Sequence, residues 1–234
     1  MFGRIFLVLI FLSFVLKLSY SNEINKNLLF YSAYILGSGS FVIDKNVNLY
    51  IEEHTNEYIL KSSEYMDIIF HPFSLASFDI MLILYSKYKK DSTLYKTSFK
   101  SLKSLGFNLV IVSLLKFSIG RERPYQTDDP FKFDMFRFED TSFPSGHTSS
   151  IFSWSYPYIR AYNKDIFFIT ISTMVAISRV VGEYHWVSDV IYGAIIGLHI
   201  ADRLYEKEDK NNYTIFLNPY LDKNMISFKL DIVY

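Results

Sequence analysis

The sequence predicts an all-α protein, a helical bundle of about five or six helices with a short C-terminal β-hairpin. Three observations predict it. Apolar runs of helix length recur over 27–36, 68–86, 104–119, 148–161, 166–181 and 188–204. Punctuation falls at their ends: Gly120 follows the third run, Pro144 precedes the fourth, Asp165 can cap the fifth, Gly182 follows it, and Ser188 can cap the sixth. The tail then changes character. Residues 205–212 (YEKEDKNN) read as a charged linker, and Thr214–Leu221 and Met225–Val233 partly alternate around Asp222-Lys223-Asn224, as in a hairpin. Segment 44–66 is polar and its periodicity assigns no element.

Composition narrows the functional classes. Half of the 234 residues are hydrophobic and 18% are aromatic, which suits one well-packed domain with extensions and excludes a disordered chain. Lys plus Arg (24) balances Asp plus Glu (24), so no charge excess points to nucleic acid. The absence of cysteine removes disulfides, thiolate nucleophiles and thiolate metal sites together.

At the N-terminus, Arg4 precedes an apolar run from Ile5 to Leu16, and Ser19 and Ser21 have the spacing of a signal-peptidase site. The expected organisation is therefore a signal peptide (1–21), an N-terminal extension (22–66), a helical domain (67–204), and a linker with hairpin (205–234). Most of the apolar runs are shorter or more polar than the ~20 residues a membrane span requires. The stretch 87–103 reads as a linker holding six lysines, and Gly193 and Gly197 form a GxxxG pair that permits close helix approach. If the bundle lies in a membrane, the lysines put that linker in the cytoplasm and the opposite helix ends outside.

The usable chemistry is concentrated in three strings: KFSIGRERP (116–124), PSGH (144–147) and SRVVGEYHWVSD (178–189). In the first, Lys116 supplies a point charge and Arg123 a planar fork, complementary ligands for a phosphate. In the second, Ser145 offers a hydroxyl, and Gly146 lets a backbone N–H approach a ligand at the start of a helix, where amides lack intrahelical partners. His147 stands where it can titrate near neutral pH and protonate a leaving group. In the third, Arg179 ends a helix, and His185 precedes Asp189 by four residues. Asp189 can then accept from Nδ1 and leave Nε2 free to attack. Taken singly, each string also reads as ordinary helix punctuation.

Taken together, in this order and spacing, the strings resemble the tripartite signature of the type 2 phosphatidic acid phosphatase (PAP2) and vanadium haloperoxidase superfamily. The signature positions are Lys116, Arg123, Pro124, Pro144, Ser145, Gly146, His147, Ser178, Arg179, His185 and Asp189, and the resemblance extends over about 67–204. It implies an all-helical fold with the strings converging at one end. It implies His185 as a nucleophile forming a phosphohistidine, Asp189 holding it, and His147 as general acid. Lys116, Arg123, Ser145, the Gly146 N–H and Arg179 would bind the phosphoryl oxygens, and the phosphatase branch requires no metal or other cofactor. The expected partner is a phosphorylated lipid at a membrane surface, with the site facing away from the cytoplasm. An exported acid phosphatase for soluble esters would use the same residues, and a vanadium-dependent haloperoxidase the same pocket.

Overall fold

A computed structural model describes the backbone of residues 23–211, 214–222 and 225–233 and the side chains of 26–206. The signal-peptide segment 1–21 lies outside the described residues. Helix α1 (Glu23–Ser38) leads through a 3-10 turn (Gly39–Ile43) into α2 (Asp44–His54) and α3 (Glu57–Ile69). Next come α4 (Pro72–Lys89), α5 (Ser92–Ile119), α6 (Gly146–Tyr162), α7 (Asp165–Val181) and α8 (Val187–Asn211). Beyond α8 the backbone of β1 (Thr214–Asp222) pairs antiparallel with β2 (Met225–Val233), Thr214 opposite Val233.

Helix α6 is the axis of the bundle. Every residue from Thr148 to Ile159 is buried, because α4, α5, α7 and α8 pack around it. Its apolar side chains, among them Ile151, Phe152 and Ile159, meet Leu105 of α5, Val175 of α7, and Ala194, Ile195 and Leu198 of α8. Its serines are buried too and find partners across the interfaces: Ser153 with Ser104 at 2.6 Å, and Ser149 and Ser150 with the Asn108 amide at 3.1 and 3.2 Å. Small hydroxyl side chains let helices approach closely while leaving no donor unmatched.

The GxxxG pair serves this contact directly. A Cβ on Gly193 would lie 2.7 Å from the Ser145 carbonyl oxygen, and one on Gly197 would lie 2.2 Å from that of Ser149. Backbone atoms cannot swing aside, so Gly197→Ala must separate α8 from α6. Overpacking of this kind costs about 1–3 kcal/mol. We expect the thermal midpoint of the variant to fall by about 2–12 °C; an unchanged midpoint would show that the helices have room to spare.

Several sequence expectations shift. The stretch 87–103 is no linker: α4 runs to Lys89 and α5 starts at Ser92, so the lysines decorate two helix ends around a tight turn. Lys90 makes that turn in the left-handed region (φ 57°), and Asp91 caps α5 by accepting from Leu94 N–H at 3.0 Å. Likewise 205–211 continues α8 rather than linking it to the tail, and 44–66 holds α2 and α3. Charged, amphipathic ends of long helices carry the same composition as loops, which is why apolar runs underestimate their length. α1 is tied to α8 by buried Lys26, which meets Asp202 at 2.8 Å and Glu206 at 2.6 Å.

The outer faces of the bundle are unusually apolar. In α5, Phe107, Val110 and Leu114 are exposed, as are Phe73, Ile80, Met81 and Leu84 of α4 and Ile166, Phe167, Met174 and Ile177 of α7. Among the described residues α5 alone is long and apolar enough to cross a membrane by itself, and only 22% of its most apolar window is buried. Helices α3 and α4, bent by 45° at the Phe70-His71 break, meet the same criterion as a pair.

Candidate active site

All three strings meet at one end of the bundle, and backbone contacts join them. Helix α5 stops at Gly120, whose φ of 61° is left-handed; a Cβ there would strike the Asp134 carbonyl oxygen at 1.6 Å. The stop places Lys116 in the last turn with its side chain running past Gly146, whose Cβ position is 3.7 Å from Lys116 Cε. Lys116 Nζ donates to the Thr141 and Ser142 carbonyls at 2.6 and 3.2 Å. Arg123 Nη1 donates to the Tyr184 carbonyl at 3.2 Å, which joins the first string to the third. Ser145 N–H donates to the Asp189 carbonyl at 2.9 Å, which joins the second to the third.

Ser145 stands at the N-cap of α6, fully buried, with Oγ 3.0 Å from Thr148 Oγ1. The first i−4 bond of the helix is Ser149 N–H to the Ser145 carbonyl, so the amides of 146–148 precede the intrahelical ladder. Arg179, in the last turn of α7, lies over the Tyr184 ring at 4.2 Å. His185 follows in the connection between α7 and α8 and is almost wholly buried.

Asp189 lies in the first turn of α8 as expected, but its contact with His185 is looser than a formed hydrogen bond. Nδ1 of His185 is 3.5 Å from Asp189 Oδ2, and that oxygen already accepts the Trp186 N–H at 2.8 Å. Catalytic hydrogen bonds are commonly long before substrate binds. Ser188 does not cap α8, which begins at Val187. Its N–H donates to Asp44 Oδ1 at 2.9 Å and its Oγ to Asp44 Oδ2 at 2.5 Å.

Burial first, and then the positive charges of Lys116, Arg123 and Arg179, push the His185 imidazole well below its ordinary range. Both influences favour the neutral imidazole over the imidazolium. Four buried nitrogens at this end make no directed hydrogen bond, although the first, second and fourth lie within ion-pair distance of a carboxylate: Arg123 Nε, His147 Nε2, Arg179 Nε and His185 Nδ1. Native proteins seldom leave such groups without a directed partner, and here they cluster where the three strings meet. No cluster of His, Asp or Glu suited to a metal ion occurs among the described residues.

Three residues that sequence reasoning did not single out complete the site. Arg121, inside the first string, is fully buried and donates to Asp189 Oδ1 at 2.6 Å, Asp44 Oδ2 at 2.7 Å, Ser188 Oγ at 2.7 Å and the Pro130 carbonyl at 2.9 Å. Asp44 comes from α2 and Asp67 from the end of α3. Asp67 Oδ1 is 2.5 Å from Arg179 Nη1 and 3.1 Å from His147 Nε2. The loop 125–143 contributes Asp140, paired with Arg123 Nε at 2.9 Å and accepting from Tyr125 and Gln126. His71, outside the three strings, packs edge-on against His147 with ring centroids 5.2 Å apart.

A family model described as the PAP2 superfamily matches residues 98–213, the span that contains all three strings. The chain belongs to the PAP2 superfamily. It is 30% identical over 109 residues to a lipid A 1-phosphatase from Porphyromonas gingivalis, covering 44% of this chain and 22% of that relative. The match thus spans less than a quarter of the relative's length. The fold resembles a transmembrane PAP2-type phosphatidylglycerolphosphate phosphatase from Bacillus subtilis, with a TM-score of 0.58 and 19% identity over 90% of this chain and 98% of that one. It also resembles Aquifex aeolicus LpxE, with a TM-score of 0.52 and 15% identity over 70% of this chain and 95% of that one. These PAP2 neighbours share the helical architecture at low identity.

Proposed function

We propose that the protein is a membrane-embedded phosphatase that hydrolyses lipid phosphate or diphosphate esters through a phosphohistidine on His185. The observation that carries this reading is the union of an anion pocket and an apolar groove. Lys116 and Arg123 line a cavity of about 640 Å³ together with Leu109, Val110, Leu114, Phe117 and Phe138. A phosphoryl group held at the cations thus continues directly into surface suited to a hydrocarbon tail.

In this mechanism the phosphate is bound by Lys116, Arg123, Arg179, Ser145 and the Gly146 N–H. Burial and then Arg179 lower His147 to about 4 in the free enzyme, below the near-neutral titration the sequence suggests. The negative charge of the bound phosphate ester favours its protonation. As the lone pair of His185 Nε2 attacks phosphorus and the bond to the leaving oxygen breaks, His147 gives that oxygen its proton. His147 then takes a proton from water, which attacks the phosphohistidine, frees His185 and releases inorganic phosphate. Asp189 steadies the imidazolium that forms. Each fixed donor acts on charge that grows in the transition state, where one lost donor costs about 100–1,000-fold in rate.

The likeness to lipid phosphatases and the exposed apolar faces of α4, α5 and α7 support a membrane setting. A helix of 28 residues such as α5 is about 42 Å long, enough for a hydrocarbon core of about 30 Å. The lysines at the α4–α5 turn support a cytoplasmic position for that end, with the site on the opposite side.

The test is a substrate panel in detergent micelles: phosphatidate, an isoprenyl diphosphate, a lipid A phosphate and a soluble aryl phosphate. We expect kcat/KM at least about 100-fold higher for a lipid ester, since burying even a few methylenes contributes about 0.8 kcal/mol each. Equal turnover of the soluble ester would instead identify an acid phosphatase of broad range, and peroxide-dependent halogenation after vanadate addition would identify a haloperoxidase.

A further inference from the structure

We propose that Asp67 is an internal anion that occupies the phosphoryl subsite until substrate displaces it. This rests on the reading of His147 and Arg179 as phosphate-facing groups. One oxygen, Asp67 Oδ1, lies against both of them, at 2.5 Å from Arg179 Nη1 and 3.1 Å from His147 Nε2. An oxygen between the general acid and a phosphate-binding arginine stands where a phosphoryl oxygen of the substrate must go. The leaving oxygen needs the same histidine nitrogen.

The carboxylate balances charge there without completing the hydrogen bonds. His147 Nε2 and Arg179 Nε both remain without a directed acceptor, although each is buried. A planar carboxylate has two oxygens on one side chain, whereas a phosphoryl group presents three terminal oxygens in a tetrahedron. The phosphate therefore satisfies donors that Asp67 leaves unmatched, and displacement follows from that difference.

Asp67 is placed to move. Its side chain is about one-third exposed, in contrast to the buried Arg179 it contacts. It lies on α3, which packs chiefly on α7 and seats Ser63 against the Gly182 turn. A rotation of the side chain suffices to clear the subsite, because no other residue among those described binds the carboxylate. Its presence keeps the Arg179 guanidinium and the His147 imidazole ordered in the empty enzyme, and it sets a threshold that an incoming anion must exceed.

The experiment is titration of the full-length, detergent-solubilised protein with inorganic phosphate by calorimetry, alongside steady-state kinetics on the best lipid ester. Asp67→Asn and Asp67→Ser should each bind phosphate about 10-fold more tightly than the native chain, the scale of one charge-assisted hydrogen bond no longer to be broken. KM should fall with them more than kcat changes. Asp67→Glu should stay near native affinity, and adding Arg179→Ala to Asp67→Asn should erase the gain. A residue that merely supports the fold would weaken phosphate binding when replaced, so the sign discriminates. Equal or weaker affinity in both neutral variants, with thermal midpoints near native, would overturn the proposal while His185-dependent turnover left the phosphatase reading intact. Absence of phosphate binding in the native chain and in every variant would overturn both.

Discussion

His185→Ala is expected to lower kcat/KM for the lipid ester by about 1,000-fold or more, the scale on which loss of a covalent nucleophile is felt. The residue is almost wholly buried at the meeting point of the three strings, and that burial, reinforced by the surrounding positive charge, disfavours the imidazolium. The other histidines differ from it: His54 is exposed and stacked on Tyr50, His199 packs on Phe30, and His147, lowered to about 4 by burial and then by Arg179, contacts Asp67 rather than Asp189. A phosphoryl group on nitrogen is labile to acid and stable to alkali. Rapid quenching of the native enzyme with phosphorus-labelled substrate should therefore trap alkali-stable label on the protein, and His185→Ala should trap none. His147→Ala should spare an aryl phosphate more than an alkyl one, since a phenolate leaves without protonation. Full turnover by His185→Ala would refute the mechanism.

Arg121→Met should be the most destabilising single change at this end of the molecule, by about 3–5 kcal/mol. Both its carboxylate partners, Asp44 and Asp189, are fully buried and share the one guanidinium. Removing it leaves two buried negative charges with no cation between them, and the long apolar methionine replaces volume without replacing charge. A loss of this size lowers the thermal midpoint by roughly 6–20 °C in a chain of this length. Arg121→Lys should recover part of it, because a point charge can reach one carboxylate but not both. Activity should fall with Arg121→Met even where the protein is folded, since Asp189 loses the partner that fixes one of its oxygens. A midpoint within about 2 °C of native would mean that the buried pair contributes little.

The helices around the site were legible because burial imposes a pattern on sequence. Runs such as 148–161 and 166–181 lie within a residue or two of α6 and α7, where both flanks carry Gly, Pro or Asp as punctuation. The turn at Lys90-Asp91 was not legible, because neither residue is a strong breaker and the lysines around it resemble a solvated loop. The same holds for 44–66: charged and polar residues interrupt α2 and α3 too often to leave a continuous apolar run, and only their contacts reveal where they pack. Asp44 looks like any surface aspartate in the sequence, yet it is buried beneath Arg121 and Ser188.

The candidate site divides along the same line. Each string shows its own chemistry in isolation, and the internal spacing of SRVVGEYHWVSD is enough to set Asp189 in a first helical turn beside His185. Local geometry over a few residues is dictated by the local chain, so Lys116, His147, Arg179, His185 and Asp189 were readable as chemistry before any fold was known. What only the tertiary structure decided is which charges face one another. Arg121 and Arg123 are two residues apart in one string, yet the first is a fully buried clamp on Asp189 and the second lines the apolar cavity. Asp67 reaches His147 across 80 positions and Arg179 across 112. Long-range pairings of this kind depend on how α3, α7 and α8 pack, and packing is a property of the whole chain rather than of any segment in it.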